Sequence, residues 1–293
     1  MASFGERLHT RVQALETRVC LGIDPRPEAH PATHPDAHGG DPAQVAKAVV
    51  SYFRAILEAT QDLVACYKLQ MAFFERLGIP GLVSLAQLLV DIKSLGAPVI
   101  LDAKRGDVAE SARAYAEAYL GDGVFGADAL TVNPYLGTDA LEPFIEAARA
   151  NERGLFILVK TSNPGSGELQ NLETRDGSLV YDQLAYRLAK RARELNPAGG
   201  YSPLGAVVGA TYAQDLEGLR DALPQSIFLV PGYGAQGAFA EDVVAAFDED
   251  GFGAVVSASR SLTYLGDDEN YAGRARDATL TMRDAINEAI GLA

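Results

Sequence analysis

Eight short apolar runs, each followed by a stretch with helical spacing, constrain this chain more than any other feature. The runs are VCLGID (19–24), DLVACYK (62–68), PVILDAK (98–104), ALTVNP (129–134), GLFILVKTS (154–162), LGAVVGAT (204–211), SIFLVPG (226–232) and GAVVSAS (253–259). Their β-branched residues and the turn formers around them mark strands. Between them lie VAKAVVSYFRAILEA, GLVSLAQLLVDIKSL, VAESARAYAEAYL, LEPFIEAARA, VYDQLAYRLAKRAREL and AFAEDVVAAFDE, rich in helix formers and apolar at helical spacing. Such alternation with short connections implies parallel strands joined by right-handed crossovers. Eight units close on themselves, so the sequence predicts an α/β fold, a single (β/α)8 TIM barrel over residues 1–293. An open doubly wound sheet is the rival arrangement, and the strand count speaks against it. No Pro/Gly/Ser-rich linker divides the chain into a second domain.

Charge narrows the partners. A net charge of −14 repels polyanions, so nucleic acid and anionic membranes are not expected partners, while a small anion can still meet a local basic cluster. The opening segment MASFGERLHTRVQALETR reads as an amphipathic helix lacking the apolar core of a secretory signal, and predicts a cytoplasmic protein. Cys20 and Cys66 sit in separate apolar runs and are expected as buried free thiols. The segment 26–42 carries His30, His34 and His38. Their spacing suits a metal site only on a helix, which Pro31 and Pro35 forbid, so a solvated loop without a metal is expected.

Polar residues gather where the apolar runs end: Asp24, Lys68, Asp102, Lys104, Asp107, Asn133, Thr161, Ser162, Thr211, Gln236 and Arg260. In a parallel barrel all C-terminal strand ends share one face, so these scattered residues can build one pocket. Two-residue alternation points Asp102 and Lys104 to the same side. A lysine held among carboxylates stays cationic, and can stabilise a developing carbanion and then protonate it. The plainer alternative is an ion-pair network that only stabilises the barrel mouth. GYGAQG (232–237) matches G-x-G-x-x-G, but it comes too late in the chain to open a dinucleotide-binding fold. Its glycines let backbone amides approach an anion, and loops after strands seven and eight are the usual phosphate site of a barrel. Gln236 and Arg260 are therefore expected as phosphate ligands.

The segment LDAKRGDV resembles the D-x-K-x-x-D signature of the orotidine 5′-monophosphate decarboxylase family. CLGIDPRP resembles the family's first strand, and YKLQMAFFE, VKTSNPGS, VVGAT, VPGYGAQG and SRSL are similar in order to its longer bacterial, type 2 branch. The resemblance implies decarboxylation of orotidine 5′-monophosphate in pyrimidine biosynthesis without a cofactor. It implies a catalytic tetrad of Lys68, Asp102, Lys104 and Asp107, with Lys104 giving its proton to C6. Asp107 is implied to enter the neighbour's site in a homodimer, and Ser111 to touch the neighbour's ribose. Asp24 and Lys68 are implied at the ribose hydroxyls, Ser162 at the pyrimidine, and Pro231, Gly234, Gln236 and Arg260 elsewhere on the nucleotide. Ala258 departs from the serine or glycine of many relatives, which leaves the backbone contact there open. Related sugar-phosphate decarboxylases and aldolases share D-x-K-x-x-D but use magnesium, with a carboxylate where this chain has Lys68.

Overall fold

The computed structural model describes residues 3–210, 213–234 and 237–292. Its strands are β1 (Val19–Ile23), β2 (Cys66–Gln70), β3 (Val99–Arg105), β4 (Ala129–Val132), β5 (Gly154–Lys160), β6 (Leu204–Val208), β7 (Phe228–Pro231) and β8 (Ala254–Ala258). They form a closed barrel in sequence order, every pairing parallel, with β8 returning to β1. The helices are α1 (Phe4–Leu15), α2 (Pro42–Thr60), α3 (Met71–Glu75), α4 (Gly78–Ser94), α5 (Ala109–Leu120), α6 (Thr138–Ala150), α7 (Gly167–Gln170), α8 (Val180–Leu195), α9 (Ala213–Ala222), α10 (Arg260–Thr263) and α11 (Tyr271–Ala289).

Strand alternation sorts the apolar residues into two layers. Cys20, Cys66, Ile100, Ala129, Phe156, Val207, Leu229 and Val255, one from each strand, fill the barrel interior. Their neighbours Leu21, Tyr67, Leu101 and Leu130 face outward into the larger core beneath the helices. Burial on both faces explains why the strands read as unbroken apolar runs. The N-terminal end of the barrel is closed by α1, whose first turn is fixed by a Ser3–Glu6 capping box. Phe4 meets Phe156 edge-on with centroids 5.9 Å apart. Gly154 admits that ring, since a Cβ there would lie 2.3 Å from Phe4 Cδ1. With the interior packed from below, the C-terminal rim is the end of the barrel left open to a ligand.

Cys20 and Cys66 are buried free thiols, as expected, and stand opposite one another across β1 and β2. A hydrogen bond between them, together with burial, pushes the Cys66 thiol well above its usual range. Three expectations are corrected. The second strand begins later than expected, because a turn from Thr60 to Leu63 occupies the start of that run. The segment 238–249 forms not an α-helix but a 3-10 helix of 6 residues, Glu241–Ala246. The 26–42 segment is not a wholly solvated loop: His30 is 3% exposed and packs its ring 4.9 Å from Tyr52 and 5.0 Å from Tyr271. An imidazole next to helical aromatics gains more from ring packing than from water, and the composition of the loop concealed that partner.

Candidate active site

The polar layer begins two residues above the apolar interior. Alternation carries Cys66 to Lys68 and Gln70, Ile100 to Asp102, and Ala129 to Thr131, so all four polar side chains inherit the inward direction. Asp102 is their centre, its side chain 8% exposed. Its Oδ2 accepts from Lys68 Nζ at 3.1 Å and Gln70 Nε2 at 2.9 Å. Its Oδ1 accepts from Lys104 Nζ at 2.6 Å and Thr131 Oγ1 at 2.9 Å.

Burial opposes the charge on Asp102, but Lys68, Lys104 and the hydrogen bonds outweigh it and hold the carboxyl well below the usual carboxylate range. Burial likewise opposes the Lys68 cation, and Asp102 with Asp24 outweighs it, holding the ammonium above the ordinary lysine range. The carboxylate and this ammonium therefore stay charged through neutral pH. Lys104 differs in access: its side chain is 45% exposed, against 8% for its partner. It is a cation tethered at one side and open at the other.

Asp24 Oδ1 is buried without a hydrogen-bond partner among the described residues. An orphaned acceptor costs roughly 1–3 kcal/mol, which a bound hydroxyl donor would relieve. Tyr264 secures this corner, donating its hydroxyl to the Asp24 carbonyl at 3.3 Å and accepting from the Arg26 amide at 2.7 Å. Ser162 is half-buried and stands against Gly209, where a Cβ would come within 2.8 Å of it. Its loop is fastened on both sides: Thr161 exchanges two hydrogen bonds with Gln170, and the buried Lys160 bonds Asn171 and lies 3.7 Å from Asp215.

A cavity of about 1420 Å³ opens over this floor, lined by Lys68, Gln70, Asp102, Lys104, Ser162 and Pro231 among others. The β7–β8 side of the mouth is built differently. Gly234 has φ +69°, which glycine adopts without strain, and its amide closes a turn on Ala238 at 2.8 Å. Arg260 is exposed at the start of α10 and makes no ion pair among the described residues. Gln236, like Thr211, lies outside the described residues.

The structure thus gathers Lys68, Asp102 and Lys104 into one bonded group, with Ser162 and Pro231 on the same cavity wall. It does not bring Asp107 to that group: its Oδ1 accepts from the Val108 amide at 2.8 Å, and no ion pair with Lys104 forms. Ser111 is exposed in the first turn of α5, away from the cavity lining. Gln70 and Thr131 were not anticipated as site residues. Both sit two positions beyond an inward residue in an apolar strand, a placement that marks them once the inward face is known.

A family model described as "Orotidine 5'-phosphate decarboxylase / HUMPS family" matches residues 17–275. The chain is 42% identical to orotidine 5′-phosphate decarboxylase of Rhodopirellula baltica over 301 residues, covering 98% of this chain and 99% of that one. It is 41% identical to the protein of the same name from Deinococcus radiodurans over 291 residues, covering 99% of each. Among solved structures it is similar to a putative orotidine 5′-phosphate decarboxylase from Streptomyces avermitilis, with TM-score 0.81, 35% identity and coverage of 99% of this chain and 97% of that one. It is also similar to Leishmania donovani OMP decarboxylase, with TM-score 0.80, 32% identity and coverage of 99% and 100%.

Proposed function

The chain belongs to the orotidine 5′-phosphate decarboxylase / HUMPS family, and from that premise we propose that it converts orotidine 5′-monophosphate to uridine 5′-monophosphate and CO2 in pyrimidine biosynthesis, without a cofactor. The observation that carries the reading is the buried Asp102 carboxylate bonded to Lys68 and to the half-exposed Lys104 at the floor of the cavity. In the reaction the bond from C6 to its carboxyl carbon breaks and its electron pair stays on C6. The Lys104 ammonium stabilises that pair and then donates a proton to it, and the lysine is reprotonated from solvent. Asp102 keeps the ammonium aimed.

Asp24 and Lys68 hold the ribose hydroxyls, consistent with the orphaned Asp24 acceptor beside the Lys68 cation. Ser162 meets the pyrimidine. Pro231, Gly234, Gln236 and Arg260 hold the rest of the nucleotide, with Gln236 and Arg260 on the phosphate. The working unit is a cytoplasmic homodimer, each chain one barrel domain, in which Asp107 and Ser111 serve the neighbouring site. That Asp107 stands apart from its own Lys104 supports this assignment. Lys68 favours this reading over a magnesium-dependent sugar-phosphate enzyme on the same scaffold, because a buried ammonium repels a divalent cation where such a site needs oxygen ligands.

The test follows loss of the orotate absorbance on mixing purified protein with orotidine 5′-monophosphate in excess chelator. Conversion at an undiminished rate is expected. Silence toward this substrate, with turnover of a sugar phosphate once magnesium is added, would replace the reading.

A further inference from the structure

Lys104 reaches the cavity through an irregular stretch of β3. Leu101 pairs with Leu130, and the next pairing is Arg105 with Val132, so Asp102, Ala103 and Lys104 together face Thr131 alone. Within this bulge Lys104 has φ +46°, a left-handed conformation that costs a non-glycine residue about 1–3 kcal/mol and persists only where its surroundings hold it. The holding contact is one side chain. The Lys104 amide donates to Thr131 Oγ1 at 2.9 Å, and the same hydroxyl gives its proton to Asp102 Oδ1 at 2.9 Å. Asp102 Oδ1 in turn accepts from Lys104 Nζ at 2.6 Å. The hydrogen bonds form a ring that leaves Lys104 at its main chain and returns to it at its ammonium.

We propose that Thr131 is a positioning residue for the proton-donating lysine, its one hydroxyl locking the Lys104 main chain and the Asp102 carboxylate into a single geometry. The inference rests on the reading of Lys104 as the proton donor. Thr131 is 1% exposed and not among the residues lining the cavity, so it acts through its partners and not on the substrate. Threonine fits the place for two reasons: its hydroxyl donates and accepts at once, and its branched side chain has few rotamers in a strand. Valine keeps the shape and removes both hydrogen bonds, whereas serine keeps the hydroxyl.

Two readouts on the full chain test this. In steady-state decarboxylation, Thr131→Val is expected to lower kcat by about 10²-fold with KM within about twofold of the parent, and Thr131→Ser to recover most of the rate. In protein labelled with 13C at the lysine ε-carbons, the Lys104 resonance, assigned by its loss in Lys104→Arg, is expected to move in Thr131→Val and return in Thr131→Ser. The second readout does not depend on turnover. If the parent is silent toward orotidine 5′-monophosphate, the functional reading fails and the resonance still decides the positioning role. An unmoved resonance overturns the inference, as does a Thr131→Val protein with lowered Tm but unchanged kcat.

Discussion

Two sides of the barrel mouth prepare for a nucleotide in opposite ways. On the β2–β4 side, Lys68, Gln70, Asp102, Lys104 and Thr131 are already bonded to one another, and the central ion pair is almost wholly buried. On the β7–β8 side, Gly234 turns through left-handed backbone and Arg260 stands exposed without an ion pair among the described residues. The difference suits the work proposed for each. Stabilising a carbanion needs charges fixed before the reaction in a place of low dielectric, where they cannot relax. Holding a phosphate needs donors that remain available until the ligand arrives. The first side therefore belongs to the folding energetics of the protein, and the second to its binding energetics.

The largest expected effect breaks the first side at its reactive end. Lys104→Ala should lower decarboxylation by at least about 10⁴-fold, since it removes both the proton and the nearest positive charge. Binding of uridine 5′-monophosphate, measured by calorimetry, should persist, because the contacts assigned to the ribose and phosphate remain. Residual turnover near the parental rate would remove Lys104 from the chemistry.

Asp102→Asn attacks the same side through folding. Removing one partner of a buried pair strands the Lys68 ammonium, and a loss of roughly 3–5 kcal/mol at neutral pH is expected. The pH dependence has a definite sign. The folded Asp102 carboxyl sits below its unfolded value, so its contribution is complete above about pH 4 and is lost as the pH falls toward the lower folded value. The stability gap between parent and Asp102→Asn, read from denaturant melts, should hold from pH 5 to neutrality and narrow below about pH 4. A gap that is small at neutral pH would show that the pair is not integral to the fold.

The two sides also differ in how far sequence revealed them. Alternation of apolar runs and helices announced the barrel, because eight strands buried on both faces leave a strong apolar signal. Lys68, Asp102 and Lys104 were legible because charge at the end of an apolar strand is conspicuous. Thr131 and Gln70 were not, because an uncharged polar residue in a strand becomes meaningful only when its inward neighbours and the β3 bulge are known. His30 reads as solvated for a similar reason: its aromatic partners Tyr52 and Tyr271 lie outside the loop, in α2 and α11.

Arg260→Ala sharpens the contrast. The guanidinium is exposed and carries no ion pair among the described residues, so its removal should change folding stability by no more than about 0.5 kcal/mol. Loss of its charge-assisted hydrogen bonds to phosphate should raise KM by roughly 10–100-fold. A melting temperature that falls while KM stays constant would reverse the division of labour between the two sides.

The smallest expected signal is a gain, and it concerns the member of the tetrad that the first side lacks. Asp107 is turned to its own Val108 amide, so among the described residues of one chain Lys104 pairs with Asp102 and with no second carboxylate. If the neighbour supplies it, Lys104→Ala and Asp107→Ala should each be inactive alone yet complement one another. In a mixed dimer, one site combines the intact Lys104 of the second chain with the intact Asp107 of the first, while the other site has neither. Random reassortment of equal amounts makes about half of the dimers mixed, so activity should recover to about one quarter of the parental value after joint unfolding and refolding. Recovery to that level requires sites shared between chains. Its absence, with mixed dimers verified by mass, would mean that Asp107 acts within its own chain after the β3–α5 turn rearranges, and the first side would then be complete in a single barrel.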